Sequence, residues 1–149
     1  MEWKRLKQPR DPEDFEAVES IWGVQLPTDY KACAATKQGA RPEFCAVDIP
    51  RRGTTQLQLL LYIDGAGEAA STYSAVETWR RIRAHIPHGL FPFGDETGGN
   101  FFCFRYTKPD SDPDIVFWDP HGFADDDPED AIYPICKTFT EFLGLLKEG

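Results

Sequence analysis

The stretch GLFPFGDETGGNFFCFRY, Gly89 to Tyr106, places two adjacent acids and two adjacent glycines between aromatic runs. ETGGN is not a phosphate-binding loop. It lacks the lysine of GxxxxGK[ST] and the spacing of GxGxxG, and it leads into a strand where those motifs lead into a helix. The glycines instead predict a turn between two strands, with at least one of Gly98 and Gly99 at positive φ. Adjacent residues on a strand face opposite sides, so Asp95 and Glu96 cannot both address one scissile bond, as a catalytic carboxylate pair must. The stretch reads as a hairpin with Asp95 and Glu96 at its exposed tip.

The same period continues outward. IVFWD is another short strand, Ile132–Cys136 adds a further one, and ARPEFCAVDIP and TTQLQLLLYID precede the hairpin as two more. The second of these, mostly apolar, is expected to be central. GAGE separates it from the next helix as a turn. Helices are marked by their start signals. Asp11 and Pro12 open Pro12–Trp22, whose Phe15, Val18 and Trp22 share a face. LPTDYKACAATKQG restarts a helix over Thr28–Lys37, ended by Gly39. Ser74 with Glu77, and Thr138 with Glu141, are capping boxes for Ala75–His85 and Phe139–Lys147. Helices at both ends around an antiparallel sheet make the class α+β. Phe93, Phe102, Phe104, Val116, Phe139 and Phe142 are the expected core.

The chain has 149 residues, 41% of them apolar, with eleven Phe, five Tyr and four Trp. That composition builds a core and excludes a disordered chain. One domain over residues 1–149 is expected. No run reaches the ~18 apolar residues of a membrane span, and the charged start lacks the apolar centre of a signal peptide. A soluble, cytoplasmic protein is the expectation. Cys33, Cys45, Cys103 and Cys136 are far apart with no CxxC, as buried free thiols would be.

Charge is uneven. Residues 1–60 hold nine acids and nine Lys/Arg, and residues 61–149 hold sixteen acids and seven Lys/Arg. Within the second part, Asp110–Asp130 carries nine acids and no Lys or Arg. Nucleic acids and anionic membranes need the opposite sign, whereas a basic protein partner is favoured.

Motifs for chemistry are missing. There is no HExxH, no Cys/His cluster and no GxSxG. Asp119 and His121 in WDPHG lack further ligands, and ADDDPED lacks calcium-loop spacing. Arg80, Arg81 and Arg83 spread around more than one side of their helix, as a solvated face does.

VESIWGVQLPTDYKAC resembles the opening of the SUKH superfamily, the Smi-Knr family, through Glu19, Gly23, Leu26, Pro27, Asp29 and Tyr30. The Gly89–Tyr106 stretch resembles its central signature, in which an apolar strand runs into an acid, glycines and a second strand, here Phe93, Gly94, Asp95, Gly98, Gly99 and Asn100. IVFWD resembles the next strand, and ICKTFTEFLGLL the terminal helix, with Phe139, Phe142 and Leu143. Order and spacing match from Phe15 to Leu146. The resemblance implies an α+β domain without catalytic residues. It implies, for bacterial members, an immunity protein that binds and neutralises a toxin domain, often a nuclease or deaminase. Fungal relatives act as interaction hubs in cell-wall regulation.

Toxic nucleases need basic surfaces, and an acidic inhibitor mimics the phosphate backbone and associates fast. The partner-binding candidates are Asp95, Glu96, Asp119, Asp125, Asp126, Asp127, Glu129 and Asp130. No catalytic residue, metal, cofactor, nucleic acid, membrane or small-molecule substrate is expected. Two other readings stay open: a regulatory interaction module without a toxin, and a ligand-binding or enzymatic domain.

Overall fold

Strand pairing through Gly89–Tyr106 organises the chain. The computed structural model describes residues 2–7, 9–63, 73–120 and 128–148. In chain order its elements are β1 (Trp3–Lys4), α1 (Pro12–Trp22), α2 (Thr28–Lys37), β2 (Arg41–Pro42), β3 (Ala46–Ile49), β4 (Gly53–Leu60), α3 (Ala75–Ile82), β5 (Leu90–Glu96), β6 (Phe101–Arg105), β7 (Asp114–Trp118), a 3-10 turn (Pro128–Ala131), β8 (Ile132–Cys136) and α4 (Phe139–Leu145). A six-stranded sheet runs β3-β4-β5-β6-β7-β8, every neighbour antiparallel, and β1 pairs β2 separately. This is the α+β class expected. The GAGE turn lies outside the described residues.

Ser74 and Thr138 cap their helices as read, through the N-cap half of the box. Glu77 N donates to Ser74 Oγ at 3.2 Å, and Glu141 N donates to Thr138 Oγ1 at 3.1 Å. Two helices end earlier than expected, for tertiary reasons. α3 stops at Ile82, because His85 N turns back to Ile82 O at 2.8 Å and the chain tightens toward Pro87. α4 stops at Leu145, because Lys147 leaves the helix and exchanges backbone hydrogen bonds with Ala46, at 2.8 and 3.0 Å. That pairing covers part of the β3 edge, which would otherwise expose unpaired backbone groups. ARPEFCAVDIP is also two strands rather than one, β2 and β3, and β4 is interior but one strand from the edge.

The register of β5 and β6 shifts between Pro92 and Gly94. Proline has no N–H for the ladder, and bulges are where an interior strand tolerates it. The turn that follows needs Gly99 at φ 87°, while Gly98 is not in the positive-φ region.

The first face of the sheet carries the main core. Phe93 stacks on Phe104 with centroids 4.5 Å apart, and Tyr30 of α2 meets Phe104 edge-on at 4.9 Å. From α4, Phe139 approaches Tyr30 at 5.2 Å and Phe142 approaches Phe93 at 5.5 Å. The second face packs Leu90, Cys103, Val116 and Trp118 under Ala131, Ile132 and the end of α3 at Ile82. All six expected core residues are buried.

Two substitutions separate packing from polarity in this core. Phe93→Ala removes the central ring and should cost about 3–5 kcal/mol in urea unfolding. The Tyr30 hydroxyl is fully buried without a protein partner, so Tyr30→Phe should leave stability unchanged or raise it by about 1 kcal/mol. A loss as large as that of Phe93→Ala would show that the hydroxyl is bonded.

Candidate functional site

The acids singled out from the sequence divide by what holds them. Glu96 is not at an exposed tip, which is formed by Thr97–Gly99. It is buried at 4% exposure and folds under the turn. Its carboxylate accepts from Thr55 Oγ1 of β4 at 2.8 Å, from Asn100 Nδ2 at 3.4 Å and from Gly98 N. The physical reason is the turn itself. Its inward amide and the buried Asn100 need an acceptor, and the strand parity of Glu96 points it there. Asp95 takes the other face beside its partner Phe101 and is half-buried. Burial, and then the neighbouring charge of Glu96, push its carboxyl up to about 6.

Asp119 is also internal. Arg52, from the turn joining β3 and β4, donates to its Oδ2 through Nη2 at 2.9 Å and Nε at 3.3 Å. The same guanidinium lies 4.6 Å above the Phe117 ring. Glu129 and Asp130 are exposed on the 3-10 turn. That turn lies against the second face, since Glu129 approaches Arg105 Nη1 at 3.8 Å while Asp114 approaches the other nitrogen at 3.9 Å. Asp125, Asp126, Asp127 and His121 lie outside the described residues. The described candidate acids are held in different ways. Glu96 and Asp119 serve the fold, and Glu129 and Asp130 are on the surface.

No nucleophile or metal centre is assembled among the described residues. No group of three or more His, Cys, Asp or Glu gathers there. All four cysteines are free, and burial pushes the Cys33 and Cys136 thiols up to about 11, away from the thiolate that reacts. The arginine run folds back on its own helix: Arg80 pairs with Glu77 at 2.7 Å, Arg81 donates to Thr78 Oγ1 at 3.3 Å, and Arg83 lies 5.7 Å over the Trp79 ring. No helix among the described residues is long and apolar enough to cross a membrane.

The motif residues near the N-terminus are tethers. The Glu19 carboxylate accepts from Leu26 N at 2.7 Å and Lys31 Nζ at 3.3 Å, fixing the link between α1 and α2. Asp29 accepts from Thr140 N at 2.9 Å and Thr140 Oγ1 at 2.8 Å, which clamps α2 to the start of α4.

Sequence reading missed a groove of about 460 Å³ at the sheet end away from the Thr97–Gly99 turn. Trp22, Trp79, Phe91 and Tyr106 line it, with Arg83, His88 and Lys108 at the rim. Its residues come from α1, α3, β5 and the segment after β6, so no local spacing announces it.

A family model described as SMI1 / KNR4 family (SUKH-1) matches residues 9–145. Among curated proteins, none matches the chain significantly.

The raised Asp95 carboxyl has a consequence for stability. The folded protein holds the Asp95 proton up to about pH 6, while the unfolded chain releases it near pH 4. The folded state binds more protons in that window, so this group lowers stability as pH rises through it. Asp95→Asn should raise the thermal midpoint at pH 7, and the gain should shrink as pH falls from 6 to 4. A gain independent of pH would assign the effect to packing instead.

Proposed function

The chain belongs to the SMI1/KNR4 family (SUKH-1), a family of immunity-type proteins and not a known enzyme family, and from that premise we propose that it binds and neutralises a basic toxin domain. The nuclease and deaminase classes fit best, because they carry cationic surfaces for nucleic acid. The encounter takes place in the cytoplasm of the cell that makes both proteins.

The observation that carries this reading is uncompensated surface charge. Asp110, Asp112 and Asp130 are exposed and have no ion-pair partner among the described residues. The three neighbours that do pair, Asp114, Asp119 and Glu129, draw their cations from elsewhere in the chain, namely Arg52, Arg105 and Lys137. Asp125, Asp126 and Asp127 add charge to the same stretch. A basic partner feels this local potential during approach, which raises the association rate. Glu96 and Asp119 are spent on internal pairs and contribute little to an interface.

The test begins with co-expression and pull-down against the product of the adjacent gene. With a captured toxin, Asp125, Asp126, Asp127, Glu129 and Asp130 are replaced by Asn or Gln. Association should slow severalfold at low salt, the difference should vanish at high salt, and dissociation should hardly change. An unchanged association rate at low salt would remove these acids from the interface.

A further inference from the structure

We propose that the groove between α1, α3 and the segment after β6 is a docking site for an extended peptide segment of a partner protein. The segment carries an aromatic or long apolar side chain, with a basic residue on the Glu16–Asp110 side and a carboxylate on the Arg83–His88 side. The assignment goes beyond the acidic surface proposed above and depends on no particular toxin. A regulatory partner would satisfy it equally.

The floor is a run of rings. Trp22 lies 5.1 Å from Phe91, Trp79 lies 6.1 Å from Phe91, and Tyr106 meets Phe91 edge-on at 5.9 Å. Trp79 is half-buried, so part of its side chain remains exposed. The volume of 460 Å³ lies within the ~300–1,000 Å³ of ligand pockets. Trp, Tyr and Arg are also the residues that dominate binding at protein interfaces.

Charge sets the direction. A shallower cleft continues from the groove, sharing Gly23, Val24 and Pro109, and runs onto Glu16, Glu19 and Asp110. The Glu19 carboxylate is already taken by Leu26 N and Lys31. Glu16 and Asp110 are exposed and without an ion pair among the described residues. At the other end Arg83 and His88 are exposed, and the Arg83 guanidinium is held over Trp79. An occupant that spans both clefts meets Arg83 and His88 at one end, rings in the middle and Glu16 and Asp110 at the other, with Lys108 beside Pro109 on the rim between the rings and the acids. An extended peptide supplies that sequence of groups, and the open continuation suits a chain passing through better than an enclosed small molecule.

The walls are fixed in advance. The Tyr106 hydroxyl donates to Gln25 O at 2.6 Å, Gln25 N donates to Pro109 O at 3.2 Å, and Tyr106 N donates to Gly89 O at 2.8 Å. Gly89 has φ 85°, and a Cβ there would come within 2.5 Å of the Tyr106 carbonyl oxygen, so only glycine allows this closure. A groove that is already ordered loses little freedom when a peptide binds.

The experiment pans a displayed library of random peptides on the full chain and measures the affinity of enriched peptides by fluorescence anisotropy. Enriched peptides should share a ring or long apolar residue between a base and an acid. Trp79→Ala should weaken them at least about tenfold. The double variant Glu16→Lys, Asp110→Lys should weaken them too, and changing the peptide's base to an acid should restore binding. These exposed acids keep the test valid if Trp79→Ala perturbs folding, which circular dichroism would reveal. The proposal is overturned if no peptide is enriched, or if enriched peptides bind wild type and the charge-swapped chain alike.

Discussion

The contact between Phe93 and the rings around it sets the position of nearly every other element. Phe93 projects from an interior strand and stacks on Phe104 of the next. The helices that cover this face must bring rings edge-on to that stack, as the ring quadrupoles prefer. Tyr30, Phe139 and Phe142 do so from α2 and α4. Elements from near the two ends of the chain thus converge on one residue of the middle. The Asp29 clamp on Thr140 then fixes the angle between those two helices. Further along the same strand face, Phe91 carries the ring packing to the surface, where it meets Trp22 and Trp79. The groove is the exposed margin of the aromatic core, and its rigidity is inherited from that core.

Much of the fold was legible because its signals are local. Ser74 with Glu77 and Thr138 with Glu141 declare helix starts three residues apart, and in each the N-cap hydroxyl accepts from the amide three residues on. The alternation from Leu90 to Trp118 declares strands, and one of the two glycines takes positive φ as a turn requires. The errors arise where a distant residue decides. α4 ends early because Lys147 finds Ala46, about a hundred positions away. Glu96 is buried because Thr55, on the neighbouring strand, offers a hydroxyl. A pair of adjacent acids beside glycines resembles a solvated tip in the sequence, and only the register of β4 against β5 shows otherwise.

The site was less legible than the fold for the same reason. Residues 22, 79 and 91 belong to separate elements and Tyr106 follows β6, and each has an adequate local explanation as core. Their convergence is a property of the packing around Phe93, not of any motif. The acid-rich stretch was visible as composition. Composition, however, does not distinguish a carboxylate that holds the protein together from one that faces a partner.

That distinction follows from pairing. Glu19, Asp29, Glu96 and Asp119 each accept hydrogen bonds from groups fixed elsewhere in the chain. Their charge is satisfied internally, and removing Glu96 would leave the buried Asn100 amide unpaired, which costs more than the bond itself contributed. Such acids can persist in a family whatever the members bind. Glu16, Asp110, Asp112 and Asp130 have no such role. Changing them costs the fold little, since exposed charges contribute little to stability. A domain built this way can keep one scaffold and vary its partner by altering unpaired surface charge alone. The tethered acids hold the helix links and the Thr97–Gly99 turn in place while that variation occurs. The search for what this chain recognises therefore belongs with its unpaired surface acids and its groove, and not with the acids that most resemble the family pattern.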